Sequence, residues 1–226
     1  MKTIFSVTCL ASLFFQFVPL EAEPPARDAI RIVQLLRNQG VLRRYPDALP
    51  SLLRHMNEET TARFDTDPLF IQTLEDEQLP KHPILYLNCD EQPSLDYSDA
   101  EKQALREYLE RGGFLYLDAG VKASFLGADL GHSYAAWEER PEVKELFASI
   151  FPEEVFVPLP RDHELFRCFY KGLPDNKDLK IQASQKKLPE TVLTFVEREK
   201  WPQGTYSFLG LRLKGRLAVL ASPICA

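Results

Sequence analysis

Two carboxylates and one imidazole lie where catalytic side chains would be expected in this sequence. Asp90 and Asp118 each follow an apolar run, and His163 lies between Asp162 and Glu164, after a further short apolar segment. Carboxylate oxygens and imidazole nitrogens bind divalent metals and also serve as general bases. If the fold brought the three together, they would suit a metal-assisted hydrolase, but no spacing among them demands a metal site.

Covalent acyl-transfer chemistry has less support. Such enzymes place Ser or Cys on a sharp turn after a strand, between small residues, whereas here Asp118 is followed by Ala119 and Gly120. Cys89 follows the preceding apolar run, but the carboxylate of Asp90 beside it would disfavour the reactive thiolate. The simpler interpretation of Asp118 is structural, as an acceptor of backbone N–H groups where a loop begins.

The glycines do not form a cofactor site. Gly112-Gly113 precedes an apolar run, whereas the glycine-rich loop of a nucleotide site follows a strand and opens a helix. We therefore expect no cofactor, and the sequence leaves metal binding open.

A strand–helix–strand unit over residues 83–120 must position the two carboxylates. The near-continuous apolar runs at residues 84–87 and 114–117 are typical of strands buried on both faces of a parallel sheet. A helical crossover makes the two strands parallel. Asp90 and Asp118 would then lie at the carboxyl edge of the sheet, where ligands collect in open α/β folds.

The helix of this unit has clear start and stop signals. Ser98 and Glu101 have the spacing of a capping box, in which each side chain satisfies the other residue's free N–H group. Gly112-Gly113 supplies a residue that can adopt a positive φ where the helix ends.

The other elements fit an α/β protein with a mainly parallel sheet and a C-terminal antiparallel hairpin. Residues 30–36 can be a strand or a helix, and their β-branched side chains favour a strand. Lys214-Gly215 predicts the tight hairpin turn. The patterns further predict a helix at 46–59, a segment crossing the sheet at 60–70, a long loop or broken helix at 121–140, a helix at 141–150, and strands at 155–157, 191–196, 206–213 and 217–221.

Two segments are expected at the carboxyl edge of the sheet. Asp162 is predicted to cap a helix over residues 164–170, which would leave His163 free to bind a carboxylate, a metal or a ligand. The long loop carries Tyr134 and Trp137, which are candidates for an exposed apolar docking patch.

Residues 1–22 have the pattern of a secretory signal peptide, with Lys2 before an uncharged apolar stretch and cleavage predicted after Ala22. A membrane anchor is the alternative, although Gln16 and Pro19 interrupt the stretch. The expected mature chain is a single α/β domain over residues 23–226, periplasmic or secreted, with no membrane span after cleavage.

Composition limits the partners. A net charge of −6 argues against nucleic-acid binding, because nucleic-acid surfaces attract basic proteins. The mature chain would retain Cys89, Cys168 and Cys225, which we expect to be buried or half-buried thiols, with one disulfide possible in an exported protein.

Several segments together resemble the bacterial domain-of-unknown-function family 4159. The resemblance implies a flavodoxin-like three-layer sandwich similar to class I glutamine amidotransferases, and it implies no activity. Related sequences tend to carry a Gly-His type pair where this chain has Asn88-Cys89-Asp90, and their pattern usually continues beyond the last strand. The resemblance rests on residues 49–53, 83–87, 105–115, 158–160, 162–163, 165–166 and 215–219.

The function expected from these observations is a non-catalytic binding or assembly module of the cell envelope, with other envelope proteins as possible partners. The alternative is the metal-assisted hydrolase using Asp118, His163 and Asp90. An enzyme requires these three side chains to converge in one pocket, within hydrogen-bond or one-water reach.

Overall fold

The computed structural model describes residues 29–37, 46–92, 94–119, 141–168 and 207–222, and for Asp90 it describes the backbone only. Three α-helices and seven strands lie within these ranges. The helices are α1 (Ala48–Glu59), α2 (Asp99–Glu110) and α3 (Pro141–Ile150), and the strands are β1 (Ile32–Leu35), β2 (Leu69–Ile71), β3 (Ile84–Asn88), β4 (Phe114–Asp118), β5 (Val157–Pro158), β6 (Leu209–Leu213) and β7 (Arg216–Ser222).

The strands form one sheet in the order β2-β1-β3-β4-β7-β6-β5. The first five of these pair in parallel, and β6 pairs antiparallel with both β7 and β5. With β7 as the fifth parallel strand, this is the flavodoxin-like order 2-1-3-4-5, in which chain direction along the sheet reverses between β1 and β3. The predicted fold class is confirmed.

Helices cover both faces of the sheet, which gives the predicted three layers. On one face, Leu49 and Leu53 of α1 pack against Ile32 and Tyr86. On the other face, α2 and α3 bury apolar side chains against the alternate residues of the central strands. Because strand side chains alternate between faces, Tyr86, Asn88 and Asp118 belong to the α1 face.

The helix of the central unit begins and ends as the sequence predicts. Ser98 Oγ accepts from the Glu101 N–H, and Glu101 Oε2 accepts from the Ser98 N–H, both at 3.1 Å. Gly112 has a φ of 113° just beyond the helix. The Arg216 guanidinium then donates to the carbonyls of Leu109 and Gly113, which fixes the helix end to β7.

The predicted hairpin is also present. Lys214 and Gly215 both have positive φ, 51° and 81°, the combination of a type I′ turn that matches the twist of the flanking strands. The predicted strand at 30–36 and the helices at 46–59 and 141–150 are confirmed within two residues.

Near residue 160, one prediction is confirmed within two residues and one is wrong. The strand predicted at 155–157 is present as Val157–Pro158, which pairs with Leu209 and Gly210 at the sheet edge. In place of the helix predicted from residue 164, Glu164–Phe166 form a single 3-10 turn. Its N-cap is His163, and the predicted capping residue Asp162 is exposed.

Some predictions fall outside the described residues: the signal peptide, the loop at 121–140 with Tyr134 and Trp137, the strand at 191–196, and Cys225. Within the described ranges, no helix has both the length and the apolar character needed to cross a membrane.

Candidate functional site

Three polar residues form a row across the carboxyl ends of β3, β4 and β7. Asn88 lies opposite Asp118, and Asp118 lies opposite Ser222. Their exposed fractions are 2%, 0% and 1%, respectively. Polar side chains buried to this degree must be hydrogen-bonded to be tolerated, so the row is part of the folded core.

The hydroxyl of Tyr86 joins two members of this row. It donates to Oδ2 of Asp118 at 3.1 Å and accepts from Nδ2 of Asn88 at 3.3 Å. The Tyr86 ring stacks on Tyr116 of the next strand, with ring centroids 5.8 Å apart. The carboxylate of Asp118 is therefore held within the sheet by side chains of its own face, and is closed to solvent.

His163 lies in a different part of the fold. Its Nδ1 is 3.1 Å from the Leu165 N–H, and its Nε2 is 2.9 Å from Nη2 of Arg212. A neutral imidazole has one acceptor nitrogen, so only one of these contacts is a hydrogen bond in either tautomer. In both tautomers that single acceptor faces a donor from the protein, which leaves no lone pair directed at a metal.

The sheet register separates His163 from Asp118. Arg212, which contacts His163, is opposite Leu217, and Leu217 is five positions before Ser222 along β7. At about 3.3 Å per residue, the Arg212 position is roughly 16 Å along the strand from the row that contains Ser222 and Asp118. The structure therefore does not bring these two candidates into one pocket.

Asp90 follows β3 in the 3-10 turn Cys89–Glu91. Among the described residues, no three His, Cys, Asp or Glu side chains are grouped so that they could hold a metal ion. The metal-assisted site of Asp118, His163 and Asp90 stays a prediction, and no described contact favours it.

A cavity of about 550 Å³ lies on the opposite face of the sheet, at the same carboxyl edge. Cys89 and Gln92 from the turn after β3 line it, together with Lys102 of α2 and with Glu142 and Glu145 of α3. Its volume is within the usual range of small-molecule sites. Its position, beside β3 at the point where the strand order reverses, is where this fold class binds ligands.

Two glutamines that the sequence analysis missed tie β1 to the turn after β3. Gln34 Nε2 donates to Oε2 of Glu91 at 3.0 Å, and Gln92 Nε2 donates to the Leu35 carbonyl at 2.7 Å. A signal for Gln34 existed, because it is the one polar residue in the four-residue strand β1. No sequence signal marked Gln92, since the residues around it have the composition of an ordinary polar loop.

A buried tyrosine lies close to the cavity-lining turn. Tyr97 is 3% exposed, and its hydroxyl has no hydrogen-bond partner in the part of the chain that the structure describes. Burial is the main cause that raises the pKa of Tyr97 well above its usual value. The Arg37 guanidinium lies 4.7 Å from the ring centroid and pairs with Glu101 at 3.1 Å.

The cysteines divide by exposure. Cys89 is buried, as expected, whereas Cys168 is exposed, so the expectation of a buried or half-buried thiol is wrong there. Cys168 follows the 3-10 turn Glu164–Phe166, in which no residue is buried. Neither of the two is in a disulfide.

The protein is an α/β protein of flavodoxin-like topology, as its strand order and its three layers define. Comparison with protein families then places the chain: residues 31–222 match the family described as Domain of unknown function (DUF4159). Since the match covers most of the chain, the protein belongs to this family. No curated protein and no solved structure matches it.

Proposed function

We propose that this protein is an exported binding module of the bacterial cell envelope, and that its ligand occupies the cavity between the turn after β3 and helices α2 and α3. The observation that carries the proposal is this cavity of about 550 Å³ at the carboxyl edge of the sheet, where this fold class binds ligands. Export is supported by the signal-peptide pattern of residues 1–22.

The state of Asp118 supports a binding role over a catalytic one. A general base or metal ligand must reach the substrate, but Asp118 is fully buried and accepts the Tyr86 hydroxyl. Its position on the α1 face also separates it from the cavity, which lies on the side of α2 and α3.

Thermal-shift screening of the processed chain tests the binding role, because a ligand of the native state raises the melting temperature. The screen covers amines, amino acids, sugars and organic acids. Ser149 lines the cavity from α3, whereas its neighbour Ala148 is exposed and outside the lining. We expect at least one class to raise the melting temperature, with the shift lost in Ser149→Trp and kept in Ala148→Trp.

Equal shifts in both tryptophan variants would place the ligand elsewhere, and no shift with any class would remove the binding proposal. Export is tested separately, by expressing the full chain in a bacterial host. We expect the protein in the periplasmic fraction or the medium, with Glu23 as its first residue by mass spectrometry. An unprocessed chain in the cytoplasm would contradict export.

A further inference from the structure

We propose that a second pocket, at the amino edge of the sheet, binds a small anion of the phosphate type. This amino-edge pocket lies between the turn that precedes β3 and the residues that follow α2, and it has a volume of about 330 Å³. That volume is at the lower end of the usual range for small-molecule sites. Lys81 and His82 line the pocket from the turn, and Arg111 lines it at the end of α2.

The amino-edge pocket is separate from the cavity of the proposed function. Pro83, which lines the amino-edge pocket, precedes β3, whereas Cys89, which lines the first cavity, follows the same strand. At about 3.3 Å per residue, the two residues are roughly 20 Å apart along the strand. Either proposal can therefore fail without the other.

The charge of the lining favours an anion. Lys81, His82 and Arg111 are basic, and no carboxylate of the described residues lines the pocket. A cleft lined by one sign of charge raises the local concentration of ligands of opposite charge. The whole chain has a net charge of −6, so a purely basic lining is a local property of this pocket and does not follow from the composition.

The fold places further cations along the same edge, because parallel strands begin at one edge of the sheet. Arg31 comes just before β1, and Arg216 is the first residue of β7, which pairs with β4. The carbonyl groups at the end of a helix carry partial negative charge and would repel an anion. At the end of α2, Arg216 donates to the carbonyls of Leu109 and Gly113, which reduces this repulsion.

Two of the three basic side chains in the lining have no acidic partner within the described ranges. Lys81 and His82 form no ion pair with a carboxylate there, whereas Arg111 pairs with Glu107 at 3.0 Å. Exposed pairs of this kind contribute little to stability, so Arg111 can turn to a ligand at small cost. The donors of the turn are therefore available to a bound anion.

His82 gives independent evidence of positive potential at the pocket. Burial, and then the nearby charges of Arg31 and Lys81, lower the pKa of His82. Arg31 has this effect although it is paired with Asp65. An anion bound against His82 would offset the repulsion and favour the protonated imidazole, so the pKa of His82 should rise on binding.

A phosphate group matches this set of donors. Ammonium, imidazole N–H and guanidinium groups all donate hydrogen bonds. A phosphate monoester has about two negative charges at neutral pH and three acceptor oxygens, so it can accept from several of them at once. Free phosphate and phosphate monoesters share this chemistry, and glycerol 3-phosphate represents the second source.

An NMR pH titration of the histidine side chains in the processed chain tests the proposal, with inorganic phosphate and with sodium chloride at matched ionic strength. We expect phosphate to raise the pKa of His82 by about one unit. The imidazole of His55, exposed on α1, should titrate identically in both solutions. An unchanged pKa of His82, or an equal change at His55, would overturn the proposal.

Isothermal titration identifies the ligand. We expect phosphate to bind at least about tenfold more tightly than acetate, which has one charge and two oxygens. Tighter binding of glycerol 3-phosphate than of phosphate would indicate a monoester, and equal or weaker binding would indicate the free anion. Acetate binding as tightly as phosphate would overturn the assignment of the ligand class.

The matched variants are Lys81→Gln, which removes a charge from the lining, and Lys144→Gln, which removes an exposed charge on α3 outside both linings. Both lysines are exposed, so neither change should impair folding. We expect about tenfold weaker phosphate binding in the first variant and unchanged binding in the second. Equal weakening in both would reduce the effect to net charge and overturn the proposal.

The variant Ser149→Trp separates the two sites. It fills the first cavity and should leave phosphate binding unchanged, because Ser149 does not line the amino-edge pocket. Loss of phosphate binding in this variant would place the anion in the first cavity and overturn the second site.

Discussion

The hydroxyl of Tyr86 donates a 3.1 Å hydrogen bond to Asp118, whose carboxylate is fully buried at the end of the adjacent strand. Through this contact β3 and β4 are joined by side chains as well as by their backbone ladder. The strand end that first suggests catalysis is thus occupied by a structural network, and the cavity on the other face is the better candidate for function.

Removing the Tyr86 hydroxyl should destabilise the fold. We expect Tyr86→Phe to lower the free energy of unfolding by about 1–2 kcal/mol, because it leaves buried groups of Asp118 and Asn88 without this partner. Chemical denaturation measures the change. The matched control is Tyr97→Phe, which removes a buried hydroxyl that has no partner among the described residues. That variant should be equally stable or more stable, and a similar loss in both variants would contradict the role given to Tyr86.

Glu101 should stabilise the fold by more than its helix-capping hydrogen bond contributes. Its carboxylate accepts from Ser98, Thr73 and Arg37, and the residue is 5% exposed. We expect Glu101→Gln to cost about 2–3 kcal/mol in denaturant unfolding, since charge-assisted bonds are lost inside the protein.

The control for this variant is Glu107→Gln, which breaks an exposed ion pair with Arg111 on the same helix. It should cost less than about 0.5 kcal/mol, as surface pairs contribute little. A loss in Glu101→Gln no larger than in the control would show that the network does not stabilise the protein.

His82 should make stability depend on pH. Burial, followed by the nearby charges of Arg31 and Lys81, lowers the pKa of His82 from its ordinary 6.5. Just below pH 6.5, the unfolded chain therefore binds more protons at His82 than the folded chain does. The contribution of His82 to the free energy of unfolding consequently rises with pH and is lost on acidification.

We expect His82→Gln to lose less stability than wild type on acidification from about pH 7 to about pH 5, followed by melting temperature. Identical pH profiles for the two proteins would contradict the assignment.

The two described cysteines should react at different rates. Cys168 is exposed, whereas Cys89 is buried at the cavity wall and requires local opening before a reagent can reach it. Alkylation with iodoacetamide, followed by peptide mass spectrometry, should therefore modify Cys168 first, with equal modification after unfolding in guanidinium chloride. Faster modification of Cys89 in the native protein would show that the cavity opens more readily than its burial implies.

Sequence patterns were sufficient to predict the elements whose signals lie in neighbouring residues. The capping box of Ser98 and Glu101, the apolar runs of β3 and β4, and the Lys214-Gly215 turn each depend on neighbouring residues, and all three are confirmed. The row of Asn88, Asp118 and Ser222 depends on how β3, β4 and β7 pair, and β7 is distant from the other two in the chain. The sequence therefore indicated that polar residues lie at the carboxyl edge of the sheet, but not which of them lie opposite one another.

The cavity could not be predicted for the same reason. Its lining combines the turn after β3 with two helices, which only the folded chain brings together. His163 was expected at the start of a helix capped by Asp162, whereas the structure has a single 3-10 turn there, with the imidazole beside Arg212 of β6.

The most direct test of the binding site is amide-resolved NMR of the processed chain, titrated with the compound that most raises its melting temperature. We predict that the largest shift changes fall on the cavity lining, around Gln92, Lys102 and the Glu142–Ser149 stretch of α3. Unchanged resonances there, with changes around His163 and Arg212 instead, would contradict the account.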